Sequence, residues 1–383
     1  MIDRQAGRAA GKRRVVLISG YHDYRTPKRA SIHQIADGMV RCGFDVTFIS
    51  TRFSRLSRRK GDSRLFLWDK ANRVEMANGI RCFLWRTTLH PFRAGFAPAD
   101  TLIGALFPGY ANLPSKTFDQ LVSAADDIIL EAGIPAIYLR RIRRLNPDAN
   151  VICYCTDRPD TVGSHPAIRS MLVRDQQLVD HFVLRSAAMA DYFDFAPDRL
   201  SQVGFGIDKE EFASIGPSPY PESGGAAVSV GSMLFDGCFF EIAAPAFPDI
   251  QFHVIGSGTD LQPGANLHVH SEMPFAETLP YVKHASIGIA PYHPAPAAEY
   301  LADTSLKLAQ FEYFALPAVC PHFAAGERPS RFGYEPGDPQ SIRNAVDAAL
   351  AMAGKVEPRN FPDWTEVAMR VLEPQAYPDT ALR

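Results

Sequence analysis

The sequence predicts an α/β protein made of two successive Rossmann-like domains, each a parallel sheet covered by helices. Three observations carry that expectation. Residues 13–50 read as strand, helix, strand, and a second series of short apolar strands separated by helix-length segments begins at Ala227. Between the two series, residues 214–225 are full of Pro, Gly and Ser and form the best linker candidate. At 383 residues the chain has room for two substantial cores. The expected division is an N-terminal domain over 1–207 and a C-terminal domain over 208–362.

The elements follow in order. Residues 13–20 are an apolar run ending in glycine, which suits a buried first strand. Residues 31–42 have helical spacing and stop at Gly43; residues 44–50 are a second strand. The intervening loop, 21–27, lacks the Gly-x-Gly-x-x-Gly of a dinucleotide site. Residues 52–64 form a basic loop carrying Arg52, Arg55, Arg58, Arg59, Lys60 and Arg64. Segments 66–68 and 80–85 suit further strands or an apolar flap. Residues 92–113 are rich in Phe, Leu, Gly and Pro, and 102–107 is almost uncharged. It reads as an apolar helix or loop near the basic surface, suited to core packing or to docking on lipid. Helices are expected at 118–132 and 136–146. The first would place Asp126 and Asp127 on a solvated face, and the second carries Arg140, Arg141, Arg143 and Arg144. Strands are expected at 151–155, 181–184 and 201–207, then at 227–233, 250–258, 266–270 and 286–292. A helical tail spans 363–372.

Charge is unevenly spread. The net formal charge is −2, yet residues 1–200 hold 30 Lys and Arg against 20 Asp and Glu, while residues 201–383 hold 10 against 22. A basic half invites anionic partners, among them a membrane surface, a phosphorylated lipid or nucleic acid. The chain lacks the aromatic–basic interleaving of a nucleic-acid module, so nucleic acid is not the expected partner. The six cysteines have no zinc spacing, and Cys153 and Cys155 alternate as small core residues on one strand. With no signal peptide in view, a reducing cytoplasmic setting is expected. No apolar run approaches the roughly 20 residues of a membrane-spanning helix, so membrane contact is expected to be peripheral.

Chemistry concentrates in two places. Residues 303–319 read as loop, helix and short buried strand. Asp303, Thr304 and Ser305 are good N-cap types, Lys307 lies in the first turn, and Leu308, Phe311 and Ala315 face a core. A helix N-terminus beside a lysine suits a diphosphate. Met233, Glu272, Tyr292 and Lys307 fall at or after four separate strand ends of one domain, as a shared pocket requires. In the N-terminal half, Asp157 follows the 151–155 strand and is the favoured general base. Asp160 also qualifies, Asp23 in the first loop is a rival, and His22 reads as structural or acceptor-contacting.

The 307–319 segment resembles the donor-binding segment of GT-B glycosyltransferases, Lys-x-x-Glu-Tyr-x-x-x-Gly-x-Pro-Val-Val. Lys307, Gln310, Phe311, Ala315 and Pro317 occupy its marked positions, with Gln310 in place of glutamate and Ala315 in place of glycine. Over nearly its full length the chain resembles the β-glucuronosyltransferases of xanthan assembly, glycosyltransferase family 70. The passages that carry this are 151–160, 227–235, 252–256 and 304–310. The resemblance implies a GT-B fold with two domains facing a cleft and a C-terminal helix, about 363–383, returning to the first domain. It implies inverting transfer of glucuronate from UDP-glucuronate to the mannose, β-1,2, of a polyprenyl-diphosphate-linked Man-Glc-Glc. The setting would be the cytoplasmic face of the bacterial inner membrane, on an anionic surface. Asp157 would be the base, and Met233, Glu272, Tyr292, Ser305, Leu306, Lys307 and Gln310 would hold the donor. The Glu-x7-Glu pair of retaining relatives is missing, with Ala302 and Gln310 at its positions, which favours inversion. No Asp-x-Asp appears, so neither metal nor another cofactor is expected. Alternatives are another UDP-sugar donor, a UDP-sugar 2-epimerase of the same fold, and a non-catalytic membrane-surface protein.

Overall fold

The structure is a computed structural model that describes residues 11–27, 29–59, 61–221, 224–295 and 298–382. The chain divides into two compact units. The first takes the chain up to Leu184, Met189–Val203 and the segment from Trp364 onward; the second takes Arg185–Ala188 and Gly204–Asp363.

The first unit is built on eight strands: β1 (Arg14–Ser19), β2 (Asp45–Phe53), β3 (Val74–Ala77), β4 (Ile80–Arg86), β5 (Asp127–Glu131), β6 (Asn150–Cys155), β7 (His181–Leu184) and β8 (Leu200–Gln202). Their order is β3-β4-β2-β1-β5-β6-β7-β8. All pairings but β3 with β4 are parallel, so seven carboxyl ends share one edge. Continuous buried runs such as Val15–Ile18 are what a sheet covered on both faces demands. The Trp364–Leu372 helix lies against the Ser31–Arg41 helix in this unit, as the returning tail requires.

Three expectations fail here, each for a physical reason. Residues 118–132 are not one helix. The helix is Lys116–Ser123, and β5 follows at once. Asp127 therefore lies fully buried at a strand start, its charge answered by the Arg13 guanidinium at 2.6 and 2.7 Å. Segment 66–68 belongs to a 3-10 helix, Leu65–Lys70, that sends Leu67 into a cluster with Phe53 and Leu84. The 52–64 stretch is no plain loop: it holds the Arg55–Arg59 helix, and Arg64 is buried, donating to the Thr51 and Arg52 carbonyls and paired with Asp62. Within 92–113 the core reading holds for Phe107 and Tyr110. It fails for Leu102 and Leu106, which are 72% and 65% exposed.

The second unit is a six-stranded parallel sheet of β9 (Gly225–Val230), β10 (Ile250–Ile255), β11 (Leu267–His270), β12 (Ile287–Ile289), β13 (Ala318–Pro321) and β14 (Arg331–Tyr334). The order is β11-β10-β9-β12-β13-β14. Its core gathers Phe239, Phe240, Phe252, Val254, Ile289 and Val346. The Pro- and Gly-rich stretch lies inside this unit, where the Tyr220 hydroxyl donates to the Tyr281 carbonyl at 2.6 Å. No helix among the described residues is long and apolar enough to cross a membrane.

Candidate active site

The features of the second unit that suit an anion start from the Leu306–Tyr313 helix. Ser305 caps it, accepting from the Leu308 N–H at 3.1 Å. The same Ser305 Oγ lies 2.5 Å from the Tyr292 hydroxyl, so the segment after β12 is tied to the helix start. The helix is seated by Phe311 lying flat on Gly288 of β12. A Cβ at 288 would sit 2.4–2.5 Å from that ring, so only glycine permits this depth. At its far end the Leu316 N–H bonds to the Phe311 carbonyl and the Ala315 N–H to the Glu312 carbonyl, a Schellman stop. Ala315 adopts φ +57° there, which explains why a glycine suits the position.

Lys307 is buried beneath this start. Its Nζ donates to the Ser229 hydroxyl of β9 at 3.3 Å and lies 5.3 Å from the Tyr292 ring centroid. Among the described residues it has no carboxylate partner, and burial pushes its ammonium down to about 7. A buried cation of this kind is stabilised most by an anionic ligand. Gln310, one turn on, is buried too, and Leu306 is half-buried at the first helical position. The Thr304 hydroxyl is buried and without a hydrogen-bond partner among the described residues.

Two more expected residues lie on loops at the carboxyl edge of this sheet. Gly256 and Gly258 follow β10 with positive φ. A Cβ at 256 would meet Glu272 at 3.4 Å, and one at 258 would meet Ser232 at 3.1 Å. The Gly-x-Gly therefore gathers the loops after β9 and β11. Glu272 is exposed on the latter, and Met233 stands 41% exposed on the former. An antiparallel bridge between Phe235 and Tyr292 ties that loop to the segment after β12.

In the first unit, Asp157 follows β6 at the carboxyl edge. It is half-buried, and its carboxylate accepts from the Thr156 hydroxyl at 3.2 Å. Asp160 is exposed and engaged by Arg158 at 2.8 Å, which also grips Asp191 at 2.6 Å. A cavity of about 420 Å³ adjoins this segment, lined by Arg93, Arg158, Asp160, His165, Arg169 and Tyr192 among others.

Asp23 stands differently. It is fully buried, chelated by Arg25 at 2.8 and 2.9 Å and bonded by the Ser50 hydroxyl at 2.8 Å. Burial pushes its carboxyl up, but these donors outweigh it and hold it below the ordinary range. Its carbonyl takes the Nε2–H of His33, whose Nδ1 accepts from the Ala30 N–H. Burial accordingly pushes His33 down to about 3. Asp23 is thus a structural anchor and a weak base.

The sequence reading missed Glu131, at the carboxyl end of β5. Ser19 donates to it, and His22 Nε2 lies 3.4 Å from it. It also missed Ser229, the partner of Lys307.

Two parallel-sheet units and a capped, lysine-bearing helix in the second are the parts of a GT-B glycosyltransferase, and solved structures agree on the fold. A UDP-forming trehalose-phosphate synthase from Burkholderia xenovorans in complex with glucose-6-phosphate superimposes with TM-score 0.57 at 11% identity, covering 97% of each chain. The catalytic domain of starch synthase IV from Arabidopsis thaliana, bound to ADP and acarbose, gives 0.52 at 9% identity over 97% of this chain and 96% of its own. The family model described as glucuronosyltransferase GumK, N-terminal domain, matches residues 17–185. A UDP-glucuronate:glycolipid 2-beta-glucuronosyltransferase of Xanthomonas campestris pv. campestris is 43% identical over 98% of this chain and 94% of its own length. The chain belongs to this GumK family of glucuronosyltransferases.

Proposed function

We propose that the protein transfers glucuronate from UDP-glucuronate to the 2-hydroxyl of the mannose in a polyprenyl-diphosphate-linked Man-Glc-Glc, with inversion, as a step of xanthan-type exopolysaccharide assembly. The buried Lys307 at the Ser305-capped helix carries this reading: a cation pushed down to about 7 by burial is held ready for a nucleotide diphosphate. The donor and glycolipid are those named for the 43%-identical relative.

In this reading the Asp157 carboxylate takes the proton of the acceptor hydroxyl as its oxygen attacks the anomeric carbon. The bond from that carbon to the diphosphate oxygen breaks with its electron pair, and UDP leaves from the opposite face. No covalent sugar–enzyme intermediate forms. Lys307 and the N–H groups of the helix start take up the charge of the departing diphosphate. Gln310, Glu272, Tyr292, Met233, Ser305 and Leu306 border the nucleotide sugar. Charge on the leaving group is assigned to these groups rather than to a metal, so transfer should persist in excess EDTA.

The acceptor's lipid sets the location, a peripheral position on the cytoplasmic face of an anionic membrane. Two features favour it: the excess of basic residues in the first half, and Phe96, Leu102 and Leu106, 63%, 72% and 65% exposed around the Ala97–Ala105 helix. Replacing Leu102 and Leu106 by aspartate should reduce sedimentation with anionic vesicles and leave UDP binding intact. The function is tested by incubating the protein with labelled UDP-glucuronate and lipid-linked trisaccharide. Label in the lipid fraction supports transfer, whereas an altered free UDP-sugar with no lipid label points to an epimerase.

A further inference from the structure

We propose that a second cavity in the first unit, built around Arg55, Arg58, Trp68 and Arg86, binds the diphosphate that joins the acceptor's oligosaccharide to its lipid. The inference rests on the acceptor reading above and supplies a site for its charged end.

The cavity has a volume of about 600 Å³. Arg55 and Arg58 belong to the Arg55–Arg59 helix that follows β2, and Arg86 is the last residue of β4. The cavity therefore opens at the carboxyl edge of the sheet, the edge that also carries Asp157.

Its charge is the telling feature. Arg58 and Arg86 lie 4.0 and 4.7 Å from the Trp68 ring centroid, and Arg86 donates to the Trp68 carbonyl at 2.8 Å. Among the described residues none that lines the cavity is acidic, and none of these three arginines has a carboxylate partner. Four other arginines of the unit are matched by acids: Arg13 with Asp127, Arg25 with Asp23, Arg64 with Asp62, Arg141 with Asp119. Converging guanidiniums repel one another, and the face of one indole offsets only part of that. A doubly or triply charged anion offsets far more, and the planar guanidinium fork matches phosphate oxygens.

The spacing also fits. From β4 to β6 the sheet runs β4-β2-β1-β5-β6, four inter-strand steps. That is roughly 19 Å across the sheet. A short oligosaccharide spans such a distance, with its terminal hydroxyl at Asp157 and its diphosphate among the arginines.

Inorganic diphosphate titrated calorimetrically into the full chain is the direct probe, in a Lys307→Ala background that removes the donor-side cation. A remaining site weakened roughly tenfold by Arg58→Gln, and again by Arg86→Gln, is expected. Binding indifferent to both substitutions would overturn the proposal. Arg58 is exposed, so its replacement should leave the melting temperature in place. A kinetic arm separates the sources of phosphate. In detergent, Arg58→Gln should raise KM roughly tenfold for a short-chain polyprenyl-diphosphate trisaccharide. It should not raise KM for the same trisaccharide on an uncharged alkyl group, nor for UDP-glucuronate. Equal losses with both acceptors would refute the assignment. So would weakened sedimentation with anionic vesicles at an unchanged acceptor KM, which would give the arginines to membrane phospholipid. If the wild type transfers to neither acceptor while diphosphate binding still depends on the arginines, the anion site stands and the transfer reading falls.

Discussion

Asp23 and Asp157 stand at the carboxyl edge of one sheet, after strands two positions apart, and differ in how far the fold closes over them. Asp23 is sealed from solvent and held by Arg25 and Ser50, so its negative charge is already used. Asp157 is half-buried, with the Thr156 hydroxyl as a weak local donor. The second unit repeats the contrast with cations. Arg331 is buried and paired with Glu312 at 2.7 Å, and Arg359 adds a second contact at 2.9 Å. Among the described residues Lys307 has no carboxylate partner; its ammonium meets the Ser229 hydroxyl and the Tyr292 ring. Paired buried charges hold the structure; a buried charge lacking a carboxylate partner costs stability that a ligand can return.

The comparison can be broken at either member of each pair. Asp23→Asn is expected to cost about 3 kcal/mol of folding stability by weakening a buried ion pair, read by urea unfolding. A variant that unfolds normally but has lost transfer would make Asp23 the base instead. Lys307→Met should weaken UDP binding roughly 10- to 100-fold with the fold intact. The sign of its pH dependence follows from its position. The ammonium form binds diphosphate, and in the free protein it is lost as pH rises through about 7, so UDP affinity should fall above that pH. The unfolded chain keeps this proton up to the ordinary 10.5, so Lys307 lowers stability at and below pH 7 and that cost is relieved between about 7 and 10.5. Pairs of wild type and Lys307→Met melted across that range should converge as pH rises.

Two smaller effects sharpen the account of how Lys307 is placed. Gly288→Ala drives a methyl into the Phe311 ring and should cost about 1–3 kcal/mol, with weaker UDP binding as the helix shifts. Ala315→Gly relieves the positive φ at the helix stop and should stabilise the fold by about 1 kcal/mol without touching UDP affinity.

Much of this was legible in the sequence because its causes are local. The first β-α-β unit, the strand before Asp157, the Ser305 cap and Lys307 in the first turn all rest on patterns within a dozen residues. Ala315 reads as a core-facing helix residue, but the helix ends at Tyr313 and Ala315 stands past it, half-buried at φ +57°. What escaped depends on contacts distant in sequence. Asp127 reads as a solvated helix residue until Arg13, over a hundred positions earlier, is seen to neutralise it. That same misreading of 118–132 hid Glu131, whose place at a strand's carboxyl end exists only once β5 does. Ser229 meets Lys307 across 78 residues, a distance no local pattern spans. The arginines around Trp68 were visible as a basic stretch, but their convergence with Arg86 required β4 to pair with β2.

The most direct test of the central claim is transfer of labelled glucuronate from UDP-glucuronate into lipid-linked trisaccharide by wild type and Asp157→Asn, with UDP affinity measured for both. The account predicts label in lipid with the wild type, a loss of roughly 10²–10⁴-fold with the variant, and equal UDP binding. Transfer by Asp157→Asn at the wild-type rate would contradict it and take the proton from the acceptor by another group.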